Sequence, residues 1–161
     1  DHERLGYNYR MDELSAALGV VQVDRLPEIL AKRAGVAERY NSKLAEIAEV
    51  RVPYISAQVE MSWFVYVIRL AKTVNRNGVM SYLQEQGVQC RPYFTPIHLQ
   101  PFYREMFGYK EGDFPVTEEA GKSVVALPFF NNLTEEQADY VVRTLKEAIA
   151  LNYNKGDAHN Y

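Results

Sequence analysis

A single cysteine and three histidines are all the thiol and imidazole metal ligands that this chain of 161 residues contains. Cys90 has no partner for an internal disulfide, so the chain fits a reducing compartment. Val88-Gln89-Cys90-Arg91-Pro92 reads as a strand end, where an inert, half-buried thiol is expected. His2, His98 and His159 stand far apart and give no metal-ligand spacing. Also absent are a P-loop, a GxGxxG turn and a GxSxG elbow. No basic run exists and the net charge is −3, which excludes the concentrated positive surface that nucleic-acid binding needs. The longest apolar run, Trp63 to Ile68, is strand length and far short of the roughly twenty residues of a membrane span. The chain opens Asp1-His2-Glu3-Arg4 with no methionine and no signal peptide, and Asp1 is expected not to be the natural beginning.

What the chain does have is ordinary globular material, 47% hydrophobic and 24% charged, enough for one domain with a helical extension. Leu14, Ala17, Leu18, Val21 and Leu26 recur at helical spacing and predict a helix over 11–26 behind Asp12. Pro27 interrupts, and a second amphipathic helix follows over 28–47, with Ile29, Leu30, Val36, Tyr40, Leu44 and Ile47 on one side. Two long helices before any sheet read as a connection between domains.

From Val50 the pattern changes. A short extended piece at 50–53 and an apolar strand over 62–70 precede a helix over 76–86, capped by Asn75 and ended by Gly87. A strand over 88–91, a short helix over 101–107 and a helix over 117–124 follow. Thr134-Glu135-Glu136-Gln137 is a capping box opening a helix to about Ala150, and the tail over 152–161 is expected to fray. The acidic residues at 118, 119, 135 and 136 fall in first helical turns, where the macrodipole suffices to explain them.

Two stretches concentrate chemistry. Gly6-Tyr7-Asn8-Tyr9-Arg10-Met11 offers an amide and a five-donor guanidinium fork at the mouth of a helix, suited to phosphate or carboxylate oxygens. The plainer alternative is that Asn8 and Arg10 make local caps while both tyrosines pack. Arg91 to Tyr103 carries three prolines, which stiffen a loop, and presents Arg91, Tyr93, His98 and Tyr103 as donors and aromatic faces. Its plainer reading is a rigid aromatic loop with His98 merely hydrogen-bonded.

Taken together these stretches resemble the DegT/DnrJ/EryC1/StrS aminotransferases, pyridoxal-phosphate enzymes that aminate nucleotide-linked keto-sugars. The matching pieces are His2-x-x-x-Gly6-Tyr7-Asn8-Tyr9-Arg10-Met11, the Glu13-Leu14-x-Ala16-Ala17-Leu18-Gly19 helix and the Trp63 strand. Gly87-Val88-x-x-Arg91-Pro92-Tyr93-x-x-Pro96-x-His98-x-Gln100-Pro101, Ala126-Leu127-Pro128-Phe129 and Leu133-Thr134-Glu135-Glu136-Gln137 complete the order. The form of the loop looks most like the branch acting on 4-keto-6-deoxy sugars, perosamine-synthase-like enzymes included.

The resemblance implies an α/β (α+β) fold: the C-terminal small domain of a fold-type I transferase, with a small, mostly antiparallel sheet packed with helices. Its parts would be an interface segment over 1–10, connecting helices over 11–47, the small domain over 48–150 and a flexible tail over 151–161. It further implies a cytoplasmic homodimer using glutamate, a nucleotide-linked keto-sugar and pyridoxal 5'-phosphate. The cofactor would sit in a missing N-terminal domain, whose lysine, expected upstream of Asp1, forms the Schiff base. No catalytic residue is then expected in this chain, which would be inactive alone. By the same resemblance Asn8 reaches the cofactor phosphate of the neighbouring subunit and Arg10 lies nearby. Arg91, Tyr93 and His98 fall on the loop forming part of the substrate pocket. A non-catalytic ligand-binding or interaction module of the same ancestry is the alternative.

Overall fold

The computed structural model describes residues 3–153. Helices α1 (Glu13–Asp24) and α2 (Leu26–Leu44) come first, separated only at Arg25, with Pro27 at the start of α2, where its missing N–H costs nothing. Strands β1 (Val50–Arg51) and β2 (Tyr66–Leu70) follow, then α3 (Arg76–Glu85). A single 3₁₀ turn (Ile97–Leu99) leads into α4 (Pro101–Phe107), α5 (Pro115–Ser123), β3 (Val124–Leu127) and α6 (Glu135–Leu151). The sheet is antiparallel throughout in the order β1-β2-β3, with Val50 opposite Leu70 and Ile68 opposite Val125.

Strand alternation divides the sheet into two faces. Tyr66, Ile68 and Leu70 of β2, with Val125 and Leu127 of β3, are buried. They share a core with Val36, Tyr40 and Leu44 of α2, Val79 and Leu83 of α3, and Ala138, Val141 and Leu145 of α6. The other face carries Arg69, whose guanidinium meets Glu119 and Ser123 of α5. α5 therefore lies across the opposite side of the sheet from the main helices.

An aromatic nest joins α2 to the sheet. Tyr40 stacks on Tyr66 at 4.9 Å, Tyr66 on Trp63 at 5.6 Å, and Phe129 closes the group. Both buried hydroxyls are satisfied, Tyr40 donating to Pro128 O and Tyr66 to Asn41 Oδ1. Desolvation pushes both phenols well above their usual range, so they remain neutral donors.

Several sequence expectations need correction. The strand expected over 62–70 starts only at Tyr66, because the Trp63 carbonyl is taken by Arg33 Nη1 instead of a neighbouring strand. The strand expected over 88–91 shrinks to one bridge between Arg91 and Ala126, and Pro92 has no N–H to continue it. α5 begins at Pro115, ahead of the expected 117, and gives way at once to β3, a strand the sequence reading did not assign. Of the tail expected to fray, Asn152 and Tyr153 are held to the start of α3: Asn75 N–H donates to Asn152 O, and Tyr153 bridges to Val74. The remainder of the tail lies outside the described residues. α1 buries none of its residues, and its apolar side chains stand exposed.

Candidate functional site

The segment ahead of α1 is exposed from Glu3 to Met11 and runs without regular structure into the helix. Asp12, not Asn8, caps α1: its carboxylate accepts from the Ser15 N–H at 2.9 Å and from the Ser15 hydroxyl at 2.7 Å. The hydrogen bonds hold that carboxyl below its ordinary pKa. Tyr7 and Tyr9 lie against each other, with ring centroids 5.4 Å apart, and bury little of their surface. The local-cap explanation of this cluster therefore fails, because Asp12 does the capping. Among the described residues, the side chains of Asn8 and Arg10 make no hydrogen bond or ion pair, and their donors are free for another molecule or chain.

The second stretch folds back over α5. His98, in the 3₁₀ turn, is 7% exposed, and its Nε2 lies 3.0 Å from Oε1 of Glu118, itself 8% exposed. With Glu118 ionised, His98 Nε2 carries the proton and donates. The same carboxylate accepts from Gly112 N–H at 2.9 and 3.0 Å and from Phe114 N–H at 3.3 Å. Burial would raise the Glu118 pKa, but the hydrogen bonds from His98, Gly112 and Phe114 outweigh it and hold the carboxyl below its usual value. Phe114 and Tyr109 pack on the imidazole, at 4.8 and 6.4 Å between centroids. Gly108 and Gly112 take positive φ at the bends of this loop, a conformation costly for any other residue.

Arg91 and Tyr93 behave differently. Both are exposed, and Tyr93 meets Phe94 edge-on at 4.9 Å. Arg91 borders an open cavity of about 690 Å³ formed by segment 87–91, the end of β3 and the first turns of α6, including Phe129, Leu133 and Tyr140. Among the described residues no hydrogen bond joins Arg91, Tyr93 and His98 to one another. Glu118 is the site residue the sequence reading missed, since its place in a first helical turn looked sufficient. No local signal marked it, since Glu118 stands twenty residues from His98 with α4 between them. Cys90 is buried, more fully than the half-buried thiol expected, and desolvation pushes its pKa up.

A model of the DegT/DnrJ/EryC1/StrS aminotransferase family matches residues 1–146. The chain belongs to this family. It is 34% identical over 146 residues to the erythromycin biosynthesis sensory transduction protein EryC1 of Saccharopolyspora erythraea, covering 90% of this chain and 39% of that protein. It is 31% identical over 148 residues to GDP-perosamine synthase of Caulobacter vibrioides, again 90% of this chain and 39% of the relative. The crystal structure of the aminotransferase TlmJ from Streptoalloteichus hindustanus superimposes with a TM-score of 0.81 at 26% identity, over 94% of this chain and 40% of that one. The putative sugar aminotransferase Spr1654 of Streptococcus pneumoniae gives 0.86 in its PMP form and 0.85 in its PLP form, both at 25% identity, over 94% of this chain and 38% and 39% of those chains. The chain thus spans about two fifths of the length of these relatives.

The family's cofactor is pyridoxal phosphate, and the residues present fit one part of it. Asn8 and Arg10 are uncommitted donors of the kind a phosphate takes. The lysines fit the aldehyde end poorly. Lys32, Lys43, Lys72 and Lys146 are each paired with a carboxylate, Lys110 and Lys122 are exposed, and none borders the cavity beside Arg91. Lys155 lies outside the described residues.

Proposed function

We propose that this chain is the C-terminal portion of a pyridoxal-phosphate-dependent enzyme moving an amino group from glutamate to a ketone on a nucleotide-linked sugar. Glutamate would leave as its 2-oxo acid and the ketone carbon would become an amine, as deoxyamino-sugar or surface-polysaccharide synthesis requires. Pyridoxal phosphate, when bound, supplies the carbonyl that holds the amino group in transit and a ring that takes up electron density. The lysine that would hold that carbonyl is assigned to an N-terminal domain, so this chain alone is expected to be inactive. The working enzyme is a cytoplasmic homodimer in this reading; among the described residues no helix is long and apolar enough to cross a membrane.

One observation carries the proposal. The donor-rich segment Gly6–Met11 stands exposed and uncommitted, in a chain matched to the family from residue 1 to 146. In this reading residues 1–10 cross the dimer interface, and Asn8 donates to the cofactor phosphate of the other subunit with Arg10 beside it. Residues 11–47 connect the large and small domains, and 48–150 form the small domain. Arg91, Tyr93 and His98 contribute to the wall of the sugar-nucleotide pocket, where the guanidinium pairs with phosphate oxygens and the phenol offers a stacking face and a hydroxyl.

The test is Asn8→Ala in the full-length protein, read as affinity for pyridoxal phosphate. Loss of a hydrogen bond to a charged group should weaken cofactor binding by roughly tenfold to a hundredfold. Unchanged affinity would remove the phosphate role.

A further inference from the structure

We infer that Glu118 is the positioning residue of the 91–103 loop, acting through His98, with α5 as the rigid mount. The inference rests on the reading above, in which that loop walls the substrate pocket.

One carboxylate ties three separate stretches together. Its own helix is α5, its Oε1 meets His98 in the 3₁₀ turn, and Gly112 and Phe114 donate to it from the following loop. The next residue, Glu119, faces the sheet, where it pairs with Arg69 and Lys72, while Ser123 accepts from Arg69 Nε. Successive residues of α5 thus fasten it to the sheet on one side and to the loop on the other. A second contact repeats the attachment. A Cβ built on Gly121 would stand 3.0 Å from Pro96 Cδ and 3.1 Å from Cγ, so the loop lies directly on the helix where no side chain intervenes.

Beyond the Arg91–Ala126 bridge at its start and the rings of Tyr109 and Phe114 on the imidazole, the loop has little else to hold it. α4 buries none of its residues, and Phe94, Phe102, Tyr103 and Phe107 are exposed. An apolar pair of similar size would seal this joint without the cost of burying a carboxylate. What a hydrogen bond to a carboxylate adds is direction: it fixes the imidazole plane, and with it the course of the chain from Tyr93 to Tyr103.

The experiment uses the full-length protein with Glu118→Ala, Glu118→Gln and, as a variant leaving the pair intact, Gly121→Val. Hydrogen exchange reports the joint without reference to activity. In Glu118→Ala, the Gly112 and Phe114 amides should exchange roughly tenfold to a hundredfold faster, while core amides such as Ile68 and Leu145 hold. In the same variant the KM for a nucleotide-linked keto-sugar should rise about tenfold or more, with the glutamate KM within about threefold of wild type. Glu118→Gln, which keeps an acceptor, should recover part of both losses, and Gly121→Val should raise the sugar KM alone. An unchanged sugar KM despite faster exchange at Gly112 and Phe114, or an equal rise in both KM values, would overturn the inference. If Glu118→Ala does not fold, Glu118→Gln carries the same arms, with the smaller effects stated for it. Tyr93→Ala separates the two layers. A sugar KM sensitive to Tyr93 but not to Glu118 sinks only the positioning role, whereas one insensitive to Tyr93 sinks the substrate-wall reading beneath it.

Discussion

Glu118 and Glu119 are neighbours in sequence and work in opposite directions, one toward the aromatic loop and one toward the sheet. Composition gives no hint of the difference, because the two carboxylates are adjacent and chemically the same, although α5 starts at Pro115 and only Glu118 falls in its first turn. Which one turns inward depends on how the loop from Arg91 to Phe114 returns over α5, a tertiary matter. Asn8 shows the reverse. Its donor chemistry was legible at once, and the structure adds that Asp12 takes over the capping that would have explained Asn8 locally. A pH prediction belongs to Glu118. Its folded pKa lies below the ordinary carboxylate value, so the stabilisation is fully present above about pH 4.3 and is lost as pH falls through the depressed folded value. Protection factors of the Gly112 and Phe114 amides should fall over that acidic window. In Glu118→Gln they should be flat there; the same acid slope in that variant would contradict the assignment.

At the scale of elements, the strongly patterned pieces were readable and the short ones were not. The capping box of α6 is present as expected, with Thr134 Oγ1 accepting from Gln137 N–H and Gln137 Oε1 from Thr134 N–H. Ala138, Val141, Val142, Leu145 and Ile149 are all buried. β3 escaped notice because four apolar residues directly after a helix show neither a period of two nor a turn. α1 was legible as a helix from its apolar spacing, and none of its residues is buried. Two substitutions calibrate α6. Thr134→Ala should cost about 1 kcal/mol through the lost cap. Leu145→Ala should cost about 2–5 kcal/mol, since Leu145 is fully buried. Denaturant unfolding measures both, and a cap loss equal to the core loss would contradict this account of the helix.

Over the whole molecule, the exposed apolar side chains are unevenly placed. Leu14, Leu18, Val20, Val21 and Val23 crowd α1, while Phe94, Ile97, Phe102 and Phe107 crowd the loop and α4. The buried core is complete without them, centred on β2, α3 and α6. Two unpartnered apolar regions beside a finished core suit a domain built to meet other protein. That matches a chain spanning about two fifths of its relatives' length. The sequence indicated this through family motifs rather than through periodicity, which cannot tell a face buried in the same domain from one buried in another. The central claim is that the full-length protein carries an amino group from glutamate to a nucleotide-linked keto-sugar. Its most direct test is the absorbance of the full-length protein's bound pyridoxal phosphate as the two substrates are added in turn. Glutamate should convert the cofactor's aldehyde form to its amine form, and a nucleotide-linked keto-sugar should restore the aldehyde form and yield the amino sugar. A cofactor spectrum unmoved by glutamate, or an amine form that no nucleotide-linked keto-sugar reverses, would contradict the account.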